Sequence, residues 1–232
     1  MEFDEWEPVY ERILDDFGFE RGADERARDV LAALSSPFEW DCLEHVQNAH
    51  VVIAGAGPSL ESTDALETAR RADVVIAAST AVDVLEANDI VVDCMVTDLD
   101  KNPETVVELT ERGTPVAVHA HGDNIPSVRT VVPDCRGAFV VPTTQARPVG
   151  PVENLGGFTD GDRAAFLADH LGAATLGFVG WDFEDPAVDP MKAAKLEWAE
   201  RLLYWLERRR GQRFDVLDGR REAIDLLPLQ TE

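Results

Sequence analysis

Two carboxylates two residues apart, Asp98 and Asp100, follow an apolar run from Ile90 to Met95 that only Asp93 interrupts. The run reads as a buried strand, and Pro103 opens a helical pattern. The pair thus stands at or just past the carboxyl end of a parallel strand, where open α/β sheets hold their ligands. At strand period two, both side chains can face the same way. Like charges held side by side repel, and sharing a divalent cation such as Mg²⁺ is one use for them. The plainer alternative is a loop in which Asp100 caps the following helix.

A second cluster follows a later apolar run. His119, His121 and Asp123 alternate along one extended segment. Imidazoles there can meet metal or phosphate oxygens, and Asp123 can join Asp98 and Asp100 around Mg²⁺. A polar loop turning at Gly122 is the alternative. Two of the chain's five histidines within three residues favour a functional role.

Asn154, Gly156, Gly157, Thr159, Asp160, Asp162 and Arg163 form the densest motif. Thr159 or Asp160 can cap a helix there, and Asp162 falls in its first turn, where the helix dipole favours an anion. Capping explains one acidic residue but not the whole set. Upstream, Gly55, Gly57, Pro58 and Ser59 lie between a strand and a helix, a place for backbone N–H groups to approach a phosphate. The dinucleotide fingerprint is absent, because Leu60 takes its third glycine position, and so is the Walker lysine. Only three lysines occur: Lys101 directly follows the first acidic motif, and Lys192 and Lys195 lie one helical turn apart after Gly180-Trp181-Asp182-Phe183, past the carboxyl end of the last apolar run. Their ammonium groups suit the neutralisation of polyphosphate charge, although lysines one helical turn apart are also ordinary on a surface.

The elements that must position these residues follow from periodicity. Helical spacing runs from about Phe3 to Leu34, with breaks expected at Gly18 and Gly22. Beyond His50, short apolar runs at 51–54, 74–77, 91–96, 115–118, 138–141 and 175–179 alternate with amphipathic segments, ending in a long helix near 190–210. That alternation predicts an α/β fold: a doubly wound, mostly parallel, Rossmann-like sheet spanning 49–232, with a small helical appendage at 1–48.

Acidic residues outnumber basic ones by 45 to 21, a net charge of −24, which argues against nonspecific nucleic-acid binding. The acidity is spread along the chain and arginine carries nearly all the positive charge, a composition suited to a salt-rich, haloarchaeal cytoplasm. Cys42, Cys94 and Cys135 are far apart, which suits free thiols in a reducing compartment. No signal-peptide pattern or membrane-length apolar run is present, so a cytoplasmic location is expected.

Taken together, GAGPSL, TDLD, HAHGDN, NLGGFTDGDRA and GWDF followed by KAAKLEWA resemble the archaeal 6-hydroxymethyl-7,8-dihydropterin pyrophosphokinase (MptE-like) family, in order, over about His50 to Arg208. The resemblance implies a fold related to the catalytic domain of thiamine pyrophosphokinase, with acidic motifs holding Mg²⁺ and nucleotide. It implies that ATP donates a diphosphate to the pterin hydroxymethyl group, giving AMP, in tetrahydrofolate or methanopterin synthesis. A homodimer is expected only by analogy with the thiamine enzyme. Lys101 departs from the family pattern, where glycine is common.

On this reading Asp98, Asp100 and Asp123 hold Mg²⁺, with Asp160 and Asp162 as further metal or substrate ligands. His119, His121, Arg163, Lys192 and Lys195 meet phosphates. The Gly55–Ser59 turn cradles nucleotide, with Gly156, Gly157 and Thr159 adding to the same binding surface. Asn124 or Asn154 reads the pterin amide edge, and Asp123 is the first candidate for a base. Rival readings are a thiamine pyrophosphokinase, a nucleotide-sugar glycosyltransferase and a non-catalytic nucleotide sensor.

Overall fold

In chain order the elements of the computed structural model are α1 (Phe3–Phe17), α2 (Arg21–Leu34), β1 (His50–Ala54), α3 (Thr63–Arg71), β2 (Val74–Ala78), α4 (Ala81–Ala87), β3 (Cys94–Thr97), α5 (Pro103–Arg112), β4 (Val116–Ala120), α6 (Ile125–Val131), β5 (Val140–Thr144), α7 (Asp160–His170), β6 (Thr175–Val179) and α8 (Pro190–Arg210). The structure describes residues 1–225, so the last part of the expected 49–232 domain, 226–232, lies outside the described residues. The strands form one sheet in the order β5-β4-β3-β2-β1-β6. Strands buried on both faces read as continuous apolar runs, which is why they were visible in the sequence. No helix among the described residues is long and apolar enough to cross a membrane.

Contacts gather the chain into two units, one made of 1–42 with 94–156 and the other of 43–93 with 157–225 among the described residues. In the first, β4 pairs in parallel with both β3 and β5. The apolar stripe of α1 (Trp6, Val9, Tyr10 and Ile13) is fully buried, and Trp6 Nε1 donates to the Gln145 carbonyl at 3.0 Å. Helix α2 packs on β4, β5 and α6. The two N-terminal helices thus contribute buried side chains to this unit. Gly18, at φ 66°, ends α1 as expected, but the second helix resumes at Arg21 and Gly22 lies inside it.

In the second unit the order is β2-β1-β6, both pairings parallel. The chain places β2 on one side of β1 and, only after β3, β4 and β5, β6 on the other, so β1 and β6 flank a topological switch point, the usual site of a ligand crevice. Helix α7 packs on β1 and β2. Helix α8 spans the predicted range and buries Trp198, Ala199, Leu202, Leu203 and Leu206, with Asp189 capping it through a bond from Lys192 N.

Two strand boundaries differ from expectation. Residues 91–93 lie outside β3: Val91 is 77% exposed, while the backbone N–H and side chain of Asp93 both bond to Val75. Residues 137–139 form a 3-10 turn, and β5 instead runs on through the buried polar Thr143 and Thr144.

Candidate active-site loops

Strand β3 stops at Thr97, and the acidic motif is a turn. Thr97 Oγ1 accepts from Leu99 N at 3.0 Å and Asp98 Oδ1 accepts from Asp100 N at 3.2 Å. Leu99, buried, takes a left-handed φ of 66°. Strand alternation accordingly does not set the directions of Asp98 and Asp100. Asp98 is half-buried, with Oδ2 3.3 Å from His121 Nε2, whereas Asp100 and Lys101 are exposed.

Asn124 fixes this arrangement. Its amide nitrogen donates to the Asp98 carbonyl and the His119 carbonyl, each at 2.7 Å, and its side-chain oxygen accepts from His121 N at 3.0 Å. One buried side chain thereby ties the loop after β4 to the loop after β3. Three of its hydrogen-bonding positions are taken within the protein, which makes it a brace between the two loops. Asn154 repeats the device, donating to the carbonyls of Gln145 and Ala146 at 2.8 and 2.9 Å and accepting from Gly156 N at 3.0 Å.

His119 is 2% exposed, and its Nδ1 lies 3.1 Å from Thr143 Oγ1. Because that hydroxyl donates to the Val118 carbonyl at 3.1 Å, its oxygen accepts from His119 Nδ1–H. The ring's Nδ1 edge is thus held by β5. Asp123 is exposed at the loop tip. Among the described residues no group of three or more His, Cys, Asp or Glu side chains could hold a metal ion, so Asp98, Asp100 and Asp123 do not form a ready three-carboxylate cage. A Mg²⁺ ion commonly takes one or two carboxylates and completes its shell with phosphate and water, a donor set that the half-buried Asp98 and exposed Asp100 fit. A residue the sequence reading passed over also reaches this loop: Asp24 of α2 accepts from Gly122 N at 2.8 Å.

In the second unit the glycine turn proves to be a packing device. Gly55 N donates to the Val179 carbonyl at 2.8 Å, Gly57 N to the Gly180 carbonyl at 2.9 Å, and Ser59 N to Asp182 Oδ2 at 2.9 Å. Pro58 has no N–H to offer. A Cβ on Gly55 would sit 2.5 Å from the Gly180 oxygen, and one on Gly57 would sit 2.3 Å from Asp182 Oδ2. The glycines allow the loops after β1 and β6 to touch, and the Gly55, Gly57 and Ser59 amides are paired within the protein. Asp182, beside Trp181 whose Nε1 donates to the Ile53 carbonyl at 3.2 Å, closes that turn.

The start of α7 braces itself in a similar way. Thr159 and Asp162 form a reciprocal capping box, and Asp162 also accepts from Phe158 N. Asp162 is fully buried; burial raises its pKa, opposed by the bonds from Phe158 and Thr159 and by the Arg163 charge. Both its oxygens accept from the Phe158–Thr159 segment, which fixes the start of α7. Arg163 pairs with Asp160 at 3.1 Å, both side chains mostly buried. Gly157, at φ 91°, lies where a Cβ would be 2.7 Å from the Arg163 backbone. Lys195 Nζ stands 5.9 Å from the centre of the Phe158 ring, and Lys192 is exposed.

Comparison with known proteins accords with the motifs. The family model for 6-hydroxymethylpterin diphosphokinase MptE-like proteins matches residues 31–187. A protein of Methanothermobacter thermautotrophicus named 6-hydroxymethyl-7,8-dihydropterin pyrophosphokinase is 42% identical over 230 residues, covering 90% of this chain and 96% of its own. Proteins of the same name from Pyrococcus furiosus and Methanocaldococcus jannaschii are 37% and 33% identical, each covering 89% of this chain and 95% and 96% of their own. The chain therefore belongs to the MptE-like 6-hydroxymethylpterin diphosphokinase family.

Proposed function

We propose that this protein transfers a diphosphate from ATP to the hydroxymethyl group of 6-hydroxymethyl-7,8-dihydropterin, in tetrahydrofolate or methanopterin synthesis. The observation that carries the reading is the braced pair Asp98–His121 at the carboxyl ends of β3 and β4, in a chain of this family. In the reaction the alcohol oxygen bonds to the β-phosphorus, the bond from that phosphorus to the α-phosphate oxygen breaks, AMP leaves and the hydroxyl proton is released. Such transfers ask the protein for positioning and charge neutralisation more than for covalent chemistry.

Asp98 and Asp100 are the residues that would hold Mg²⁺, which when bound neutralises charge on the phosphates. His121, held beside Asp98, donates to phosphate oxygen or orients the carboxylate. Asp123, exposed at the tip of the same loop, takes the hydroxyl proton. Lys192 and Lys195 supply positive charge, and Asp160 with Arg163 shapes the start of α7. The net charge of −24 and the scarcity of lysine support operation in a salt-rich cytoplasm.

Product identity tests the reading. The protein is incubated with ATP, Mg²⁺ and either the pterin alcohol or thiamine, and separately with nucleotide sugars. AMP together with a pterin diphosphate is expected. AMP only with thiamine, ADP, or release of a nucleoside diphosphate from a sugar nucleotide would each overturn it.

A further inference from the structure

We propose that Asp24, on the second N-terminal helix, is a positioning residue for His121, acting through the backbone of Gly122; its importance for catalysis rests on the diphosphotransferase reading above. Asp24 is 4% exposed. Its Oδ1 accepts from Gly122 N at 2.8 Å, and its Oδ2 accepts from Tyr10 OH at 2.8 Å and from Gln145 Nε2 at 2.7 Å. One carboxylate thus joins α1, α2, the segment after β5 and the loop that carries His121. A brace is rarely built from a buried charge unless hydrogen bonds compensate its desolvation, and three donors do so here.

A second observation is independent of that carboxylate. A Cβ on Gly122 would lie 2.6 Å from Ala23 Cβ, so α2 presses directly on the loop one residue past His121. The peptide joining His121 to Gly122 is therefore held from two sides. The His121 N–H is taken by Asn124, and the Gly122 N–H by Asp24. Release of the Asp24 side frees the imidazole to leave Asp98, and displacement of about 1 Å in an active site can cost on the order of 100-fold in rate.

The test reads geometry as well as turnover. In protein labelled with ¹³C-histidine, the His121 Cε1–Hε1 signal is identified by its loss in His121→Gln. Asp24→Ala is expected to move that signal and to lower kcat by about tenfold to about 100-fold. Asp24→Asn is expected to restore both, because the Gln145 amide can turn over and the Asn oxygen still accepts from Gly122 N. Tyr10→Phe removes a bond on the far side of Asp24, and is expected to lower the melting temperature without moving the signal. If Asp24→Ala does not fold, Gly122→Ala carries the test: it is expected to move the signal, and Ala23→Gly in the same chain to bring it back. An unmoved His121 signal in a folded Asp24→Ala protein, or in Gly122→Ala, overturns the proposal. Absence of AMP formation in the unaltered protein counts against the reaction alone, since the spectra test the positioning separately.

Discussion

Asp98 Oδ2 and His121 Nε2 lie 3.3 Å apart, and the residue that keeps them there is Asn124, whose amide bonds the backbone of both loops. The half-buried carboxylate owes its place to a brace rather than to strand alternation. Asn124→Ala leaves the Asp98 and His119 carbonyls and His121 N without that partner. Loss of a buried polar brace costs about 1–3 kcal/mol per group left unsatisfied. We expect a loss of about 3 kcal/mol or more in urea unfolding at unchanged m, with activity falling further than the unfolded fraction explains.

The glycine turn of the second unit makes a different prediction. Gly57→Ala puts a methyl group against Asp182 and the Gly180 carbonyl, where a Cβ would be 2.3 and 2.7 Å away. The backbone oxygen cannot move aside as a flexible side chain can. Thermal unfolding should show destabilisation of about 1–3 kcal/mol, typical of overpacking. Stability equal to the unaltered protein would mean that the two loops do not touch.

Acid sensitivity should centre on Glu207. Burial pushes its pKa up, but bonds from Arg221, at 2.7 and 2.6 Å, and from Phe214 N, at 2.6 Å, outweigh that and leave it lowered. Around its folded pKa the unfolded chain binds more protons than the folded one, so stability rises with pH there. The contribution is complete above the ordinary glutamate value of about 4.3 and lost as pH falls through the depressed folded value. Glu207→Gln should flatten that acid limb in equilibrium unfolding, while lowering stability near neutrality.

Much of this fold could be read from apolar runs, since parallel strands covered on both faces advertise themselves. Helix α8 was legible near 190–210, whereas its cap at Asp189 came only with the structure. The motif residues were legible too, but their duties were not. Gly55, Gly57, Asn124 and Asn154, in loops, and Asp162, in the first turn of α7, are small or polar residues, the composition of ligand sites and of tight self-bonded turns alike. Only the hydrogen-bond partners distinguish the two. Asp24 left no local signal, because its partners Gly122 and Gln145 are distant in sequence. The division into units was equally hidden, since each is assembled from two separate stretches of chain.

Net charge supplies a prediction about solvent. At −24 the folded chain repels itself, and salt relieves this by shortening the screening length from about 10 Å at 0.1 M to about 3 Å at 1 M. The unfolding midpoint should therefore rise with KCl over that range. Equal stability in dilute buffer would remove the idea of salt adaptation.

The most direct measurement is AMP formation from ATP and the pterin alcohol, at saturating Mg²⁺, by Asp98→Asn beside the unaltered protein. Asp98 is half-buried and its backbone braces survive the change, so the melting temperature should move little. Turnover should drop by about 100-fold or more, as for loss of a ligand to the ion that would neutralise transition-state charge. Near-normal AMP formation by a folded Asp98→Asn protein would contradict the account.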